Sequence, residues 1–180
     1  MKNITKVFLI AAMALTTFAS CKDKKDDGPT TTNPAAPGVT TCQVNGQTWT
    51  SDQAGKYSAT DSLPGCEALL NGDTMTFIST RFSDNSAILA QLVLTPARVG
   101  TYSGSTSADA GMFYLSKFDE TTLFQSFLLY TTSYSFTISD WNASAKKFSG
   151  TFNITMTSNT GGSNITVTNG KCTNVPYVLE

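Results

Sequence analysis

Histidine is absent from all 180 residues, and that absence removes the catalytic arrangements that depend on imidazole. A Ser-His-Asp triad, a Cys-His pair and the usual zinc-enzyme scaffolds all need one. Charge is scarce as well. Charged residues make up 14% of the chain and the formal net charge is −1, whereas an average soluble domain is about 25% charged. No basic surface exists to neutralise phosphates, so nucleic acid is excluded as a partner. Beyond residue 20 no run approaches the ~20 apolar residues of a transmembrane helix. No glycine-rich loop has the spacing of a phosphate cradle. Gly161-Gly162 sits where a turn needs tight backbone for its own sake. No cofactor and no metal is expected from this composition.

What is present begins at the N-terminus. Met1 to Lys6 is a short basic head, Val7 to Phe18 an apolar stretch, and Ala19-Ser20 a pair of small residues. These are the marks of a cleaved signal peptide over residues 1–20. Cys21 follows at once. The arrangement resembles the lipobox of bacterial lipoproteins, in which that cysteine is lipidated and becomes the first residue of the mature chain. Phe18 departs from the leucine usual three places before it. The resemblance implies a diacylglycerol on the Cys21 thiol and a further acyl chain, of the palmitate kind, on its amine. Each buried methylene contributes about 0.8 kcal/mol, so two or more chains anchor stably. The chain is thus expected to be held to a membrane without spanning it. The run Lys22-Asp23-Lys24-Lys25-Asp26-Asp27 resembles the export signals of Bacteroidota-type outer-membrane lipoproteins. It implies an outer-membrane protein displayed on the cell surface. The other reading of the run is a solvated spacer on an inward-facing lipoprotein.

Residues 21–38 hold three prolines and no apolar period, so they read as a linker. From Val39 to Glu180 there is one domain's worth of chain. Alternation dominates it. In Phe148 to Thr157 every second residue is apolar, with Thr and Asn between, which marks a half-buried antiparallel strand. Asn45-Gly46 and Asn169-Gly170 announce tight hairpins, and Asn71-Gly72 precedes another strand. Ser86 to Thr95 is apolar on both faces and reads as a central strand. Further strands are expected at 100–104, 111–117, 125–131 and 134–139, and a helical turn at 51–57. About ten short strands predict an all-β domain, an antiparallel sandwich or an open barrel.

The candidate chemistry is thin. Two carboxylates can hydrolyse a glycosidic bond, but Asp52, Asp61, Asp73, Asp84, Asp109, Asp119, Glu120 and Asp140 mostly occupy turn positions, where aspartate bends the chain. Only Glu67, before Ala68-Leu69-Leu70, has apolar surroundings. Trp49 and Trp141 are candidate stacking platforms for sugars, since an indole offers a flat apolar face with a polar edge. Their other reading is as caps on the ends of the core. Cys42, Cys66 and Cys172 remain after Cys21, and outside the cytoplasm cysteines tend to pair. First and last strands often meet when a sheet closes, which favours Cys42–Cys172, with Cys42–Cys66 second. Asp61-Ser62-Leu63 and Asp73-Thr74-Met75 fit an O-glycosylation pattern at Ser62 and Thr74.

Val44-Asn45-Gly46-Gln47-Thr48-Trp49, Gly100-Thr101-Tyr102, Ser149 to Ile154 and Val167 to Lys171 together resemble a domain family of unknown function carried mainly by Bacteroidota-type lipoproteins. The resemblance implies an all-β extracytoplasmic domain and carries no activity with it. Cys172 departs from that pattern, where an aromatic residue is more usual. The expected protein is a non-enzymatic, surface-tethered β-domain that binds a glycan or an envelope protein, or has a structural role. The alternatives are a lipocalin-like carrier of an apolar ligand and a carboxylate-dependent glycosidase.

Overall fold

The computed structural model describes residues 38–52, 54–56, 62–107, 110–117 and 130–180. The signal segment, Cys21, the charged run, the linker up to residue 37, Asp61 and most of the strand expected at 125–131 lie outside them. Every element in the described residues is a strand: β1 (Val39–Val44), β2 (Gln47–Thr50), β3 (Ala54–Lys56), β4 (Ser62–Pro64), β5 (Cys66–Asn71), β6 (Thr74–Arg81), β7 (Ser86–Val93), β8 (Gly100–Ser105), β9 (Gly111–Leu115), β10 (Tyr130–Asn142), β11 (Lys147–Ser158) and β12 (Ile165–Leu179). The domain is therefore all-β, as its alternation predicts. A strand, β3, stands where a helical turn was expected.

Ten strands share one sheet in the order β8-β10-β11-β12-β5-β6-β7-β9, with β1 pairing β12 and β2 pairing β1. The sheet curls until β9 comes up beside β10 and β11, so the barrel is nearly closed. β3 and β4 form a separate two-stranded ladder. β7 lies between β6 and β9 and is buried on both faces over much of its length, as a central strand should be. In β11 buried and exposed residues alternate from end to end. Asn45 and Gly46 adopt φ of +48° and +80° and turn β1 into β2. Positive φ at both central residues gives the turn the right-handed twist of its strands.

The hairpin expected at Asn169-Gly170 does not form. Both residues lie inside β12, which runs unbroken for 15 residues. Asn169 does take a positive φ, +55°, but it forms a bulge where the β11–β12 register shifts. Its backbone N–H donates to Asn153 Oδ1 at 3.2 Å. Gly170 is needed for space: a Cβ there would sit 2.5 Å from the Phe152 ring. A second bulge follows at Asn174, φ +51°, whose N–H donates to Ser149 Oγ at 3.0 Å. Bulges bend a strand and raise its twist. After these two, β12 leaves β1 and pairs in parallel with β5 through Tyr177↔Ala68 and Leu179↔Leu70. One strand thus joins the front of the barrel to its back.

Aromatic rings fill the interior. Phe77 of β6 meets Phe136 of β10 edge-on at 5.8 Å, and Phe136 stacks on Phe152 of β11 at 5.7 Å. Phe77 also meets Phe148 at 6.1 Å. All four side chains are fully buried. Such pairs add to the stabilisation that area burial provides.

Candidate functional site

Trp49 does not offer a stacking face. It is 1% exposed because alternation in β2 turns it inward beside Cys42. Its indole Nε1–H donates to Ser86 Oγ at 2.7 Å, and the Ser86 hydroxyl donates to Asp84 Oδ1 at 2.6 Å. Arg81 lies over the Trp49 ring at 5.7 Å and pairs with Asp84. The hydrogen bond from Arg81 is the main cause that pulls the Asp84 carboxyl down to about 2, with the two Ser86 bonds adding to it. This group ties β2 to the β6–β7 hairpin at one end of the barrel. Of the two readings of Trp49, the structure bears out the core cap; its partner, 37 residues away, has no local signal in the sequence.

Trp141 sits at the opposite end and is half-buried. It lies near the end of β10. Its ring stacks on Tyr177 at 4.5 Å and on Phe148 at 5.8 Å, with the Arg98 guanidinium 6.0 Å away. Arg98 is itself held by Asp73 at 3.1 Å and by the Gly72 carbonyl at 3.2 Å. The ring caps the core and is not an open platform.

The three described cysteines are free and buried. The first strand does neighbour the last, as expected, but the register sets Thr40, not Cys42, opposite Cys172. Cys42 falls at the register shift between Thr41 and Gln43 and pairs with Trp49 on β2. The expected Cys42–Cys172 bridge is therefore absent. Cys66 is not bridged to Cys42 either, and its Sγ lies 3.2 Å from Thr40 Oγ1. Burial pushes the Cys42 thiol up to about 12 and the Cys66 thiol up to about 11, and raises that of Cys172 too.

Among the described residues, Glu67 is the one carboxyl whose pKa is raised, by burial, to about 6. It points to the outer face of β5, because its neighbours Cys66 and Ala68 point inward. Asp84 is bound to Arg81 and Ser86, whose side chains lie on the inner face. A raised acid and an ionised carboxylate thus exist, but on opposite faces of the sheet. Of the expected glycosylation sites, Thr74 opens β6 between Asn71 of β5 and Val93 of β7 and is half-buried. It is in the body of the sheet, not at an edge. Ser62 lies in β4 opposite Lys56.

The exterior of the described residues carries an ordered feature with no local signature in the sequence. Six strands, β8-β10-β11-β12-β1-β2, put their outward side chains side by side. Thr101, Thr137, Thr151, Lys171, Thr41 and Thr50 stand in one register, one residue per strand. The hydroxyls of Thr101 and Thr137 are 2.8 Å apart. A second row runs Ser103, Ser135, Asn153, Asn169, Gln43 and Thr48. Within it Asn169 Nδ2 donates to Gln43 Oε1 at 3.2 Å. Lys171 is the one charged side chain in either row. Thr-x-Thr alternation was the available signal, but it marks an exposed face without saying which strands lie together.

No protein-family model, curated protein or solved structure matches this chain. Residues 44–49 form the β1–β2 hairpin, 100–102 open β8, and 149–154 and 167–171 lie in the paired bodies of β11 and β12.

Proposed function

We propose that the protein is a lipid-tethered extracytoplasmic module that works through its outer surface and not through an enclosed active site. Cleavage after Ser20 leaves Cys21 as the acylated N-terminus, residues 21–38 serve as the tether, and the charged run directs the domain to the outer surface of an outer membrane. Its role is binding or structural, and it is not an enzyme. The observation that carries the reading is the filled interior: Phe77, Phe136 and Phe152 touch across the barrel. A lipocalin-like carrier needs an interior cavity of a few hundred cubic ångströms for its ligand, and these rings occupy the middle of the barrel. A carboxylate-dependent glycosidase needs two carboxyls flanking one bond, and Glu67 and Asp84 face away from each other.

Cell fractionation tests the tether. Cys21→Ser should move the protein from membranes to the soluble fraction, and retention through salt washing would defeat the lipid reading. Replacing Lys24, Lys25, Asp26 and Asp27 by Ala should keep the lipid and lower protease accessibility on whole cells. Intact mass should show the lipid increment; a further hexose-sized increment would place sugars at Ser62 or Thr74.

A further inference from the structure

We infer that the outward face of β8-β10-β11-β12-β1-β2 binds an extended polysaccharide laid across the strands, along the row Thr101–Thr137–Thr151–Lys171–Thr41–Thr50. The inference rests on the reading of the exterior as the working surface and names its ligand class.

Three observations select the ligand. The two rows are uncharged apart from Lys171, and Asp140 and Lys147 lie beyond them toward the ends of β10 and β11, so the rows have no complement for a polyanion such as nucleic acid, which requires many phosphate contacts. It also lacks what a protein interface needs. Stable protein interfaces are built on an apolar, aromatic-rich centre; of the exposed large apolar residues of the described chain, Val93 and Val99 lie off the six strands, and Val178 and Leu179 lie at the far end of β12, where it pairs with β5, beyond both rows. What remains is a dense field of hydroxyl and amide groups, each able to donate and accept. A ligand with the same chemistry on both edges, a chain of sugars, fits it.

The spacing then selects a polymer over a single sugar. Adjacent strands lie about 4.8 Å apart, comparable to the length of one extended pyranose. A chain crossing the strands meets one threonine, or Lys171, per sugar. Each hydrogen bond gains little net, because it replaces one to water. Useful affinity therefore needs many such contacts in register, and the ladder supplies six in one row. The backbone beneath is fixed by the sheet, so the donors are ordered before the ligand arrives. Lys171 sits in the middle of the row and suits a glycan that is neutral or carries an occasional carboxylate.

The test is affinity electrophoresis of the full chain in detergent, in gels containing a neutral β-glucan or polygalacturonate. Retardation is expected in at least one gel. Placing carboxylates on both sides of Lys171, with Thr41→Glu and Thr151→Glu, should weaken it about tenfold, while Ser163→Glu in the exposed β11–β12 loop leaves it unchanged. If the double variant unfolds by circular dichroism, Thr101→Glu on the edge strand repeats the test. Retardation by the neutral polymer assigns a neutral glycan. Retardation by polygalacturonate alone, reduced by Lys171→Ala, assigns an acidic one. No retardation in either gel, or retardation that the face variants leave intact, overturns the inference. Neither result touches the tether, which whole-cell protease accessibility reads separately.

Discussion

Thr40 stands directly across from Cys172 on the neighbouring strand, both of them fully buried. The hydroxyl, not a second sulfur, occupies the place where a disulfide between the first and last strands would have formed. Its Oγ1 turns toward Cys66. The thiols should accordingly be inert in the folded protein. Their pKa values are raised by burial, so the reactive thiolate is a minor form at neutral pH. Iodoacetamide at pH 8 should leave Cys42, Cys66 and Cys172 unmodified in the native protein and alkylate all three in guanidinium. Peptide mapping that recovers a cystine, or rapid native alkylation, would refute this.

Trp49 and Ser86 should be energetically coupled. Trp49→Phe removes the indole donor and some ring volume, and is expected to cost about 2 kcal/mol. Ser86→Ala strands the buried indole N–H and should cost about 1–2 kcal/mol. Because both remove the same bond, the double variant should be less destabilised than the sum. Additive losses in urea denaturation would show that the bond contributes nothing.

Gly170→Ala should destabilise more than an ordinary strand substitution. The new methyl would meet the Phe152 ring and the Phe152 carbonyl oxygen, both at 2.5 Å. Overpacking of this kind costs about 1–3 kcal/mol. Phe152→Leu introduced with it should recover part of the loss, and thermal melts of the single and double variants measure both.

Glu67 links stability to pH. Burial raises its carboxyl from 4.5 to about 6, so the folded state holds the proton more tightly than the unfolded state does. Its favourable contribution is complete below pH 4.5 and is lost as pH rises through 6. Glu67→Gln should therefore match wild type at pH 4 and exceed it at pH 7. Since Glu67 is partly exposed, the gain is discounted to about 1 kcal/mol. A difference that is the same at both pH values would remove Glu67 as its source.

Local signals served the fold well and the site poorly. The alternation in β11 and the Asn45-Gly46 turn are properties of a few consecutive residues, and both read correctly. Asn169-Gly170 carries the same turn signal, yet pairing on both sides holds β12 extended and turns the asparagine into a bulge. Trp49 depends on Ser86, and the position of Cys172 opposite Thr40 depends on the one-residue bulge at Asn169 in β12. Register across distant strands is fixed by packing, so it has no local signature. That is also why the six-strand row escaped notice: each threonine was visible, but its alignment with the others was not.

β12 has a consequence for how the chain reaches its folded form. It supplies ladder partners to β1, β5 and β11 at once, and its residues follow all of theirs in the chain. Until it arrives, β1 lacks its main neighbour and the front and back halves have no seam. Contacts so distant in sequence must close long loops before they are rewarded, which makes folding slow. A polypeptide of this design stays open until its last strand has been made, and it acquires its barrel late.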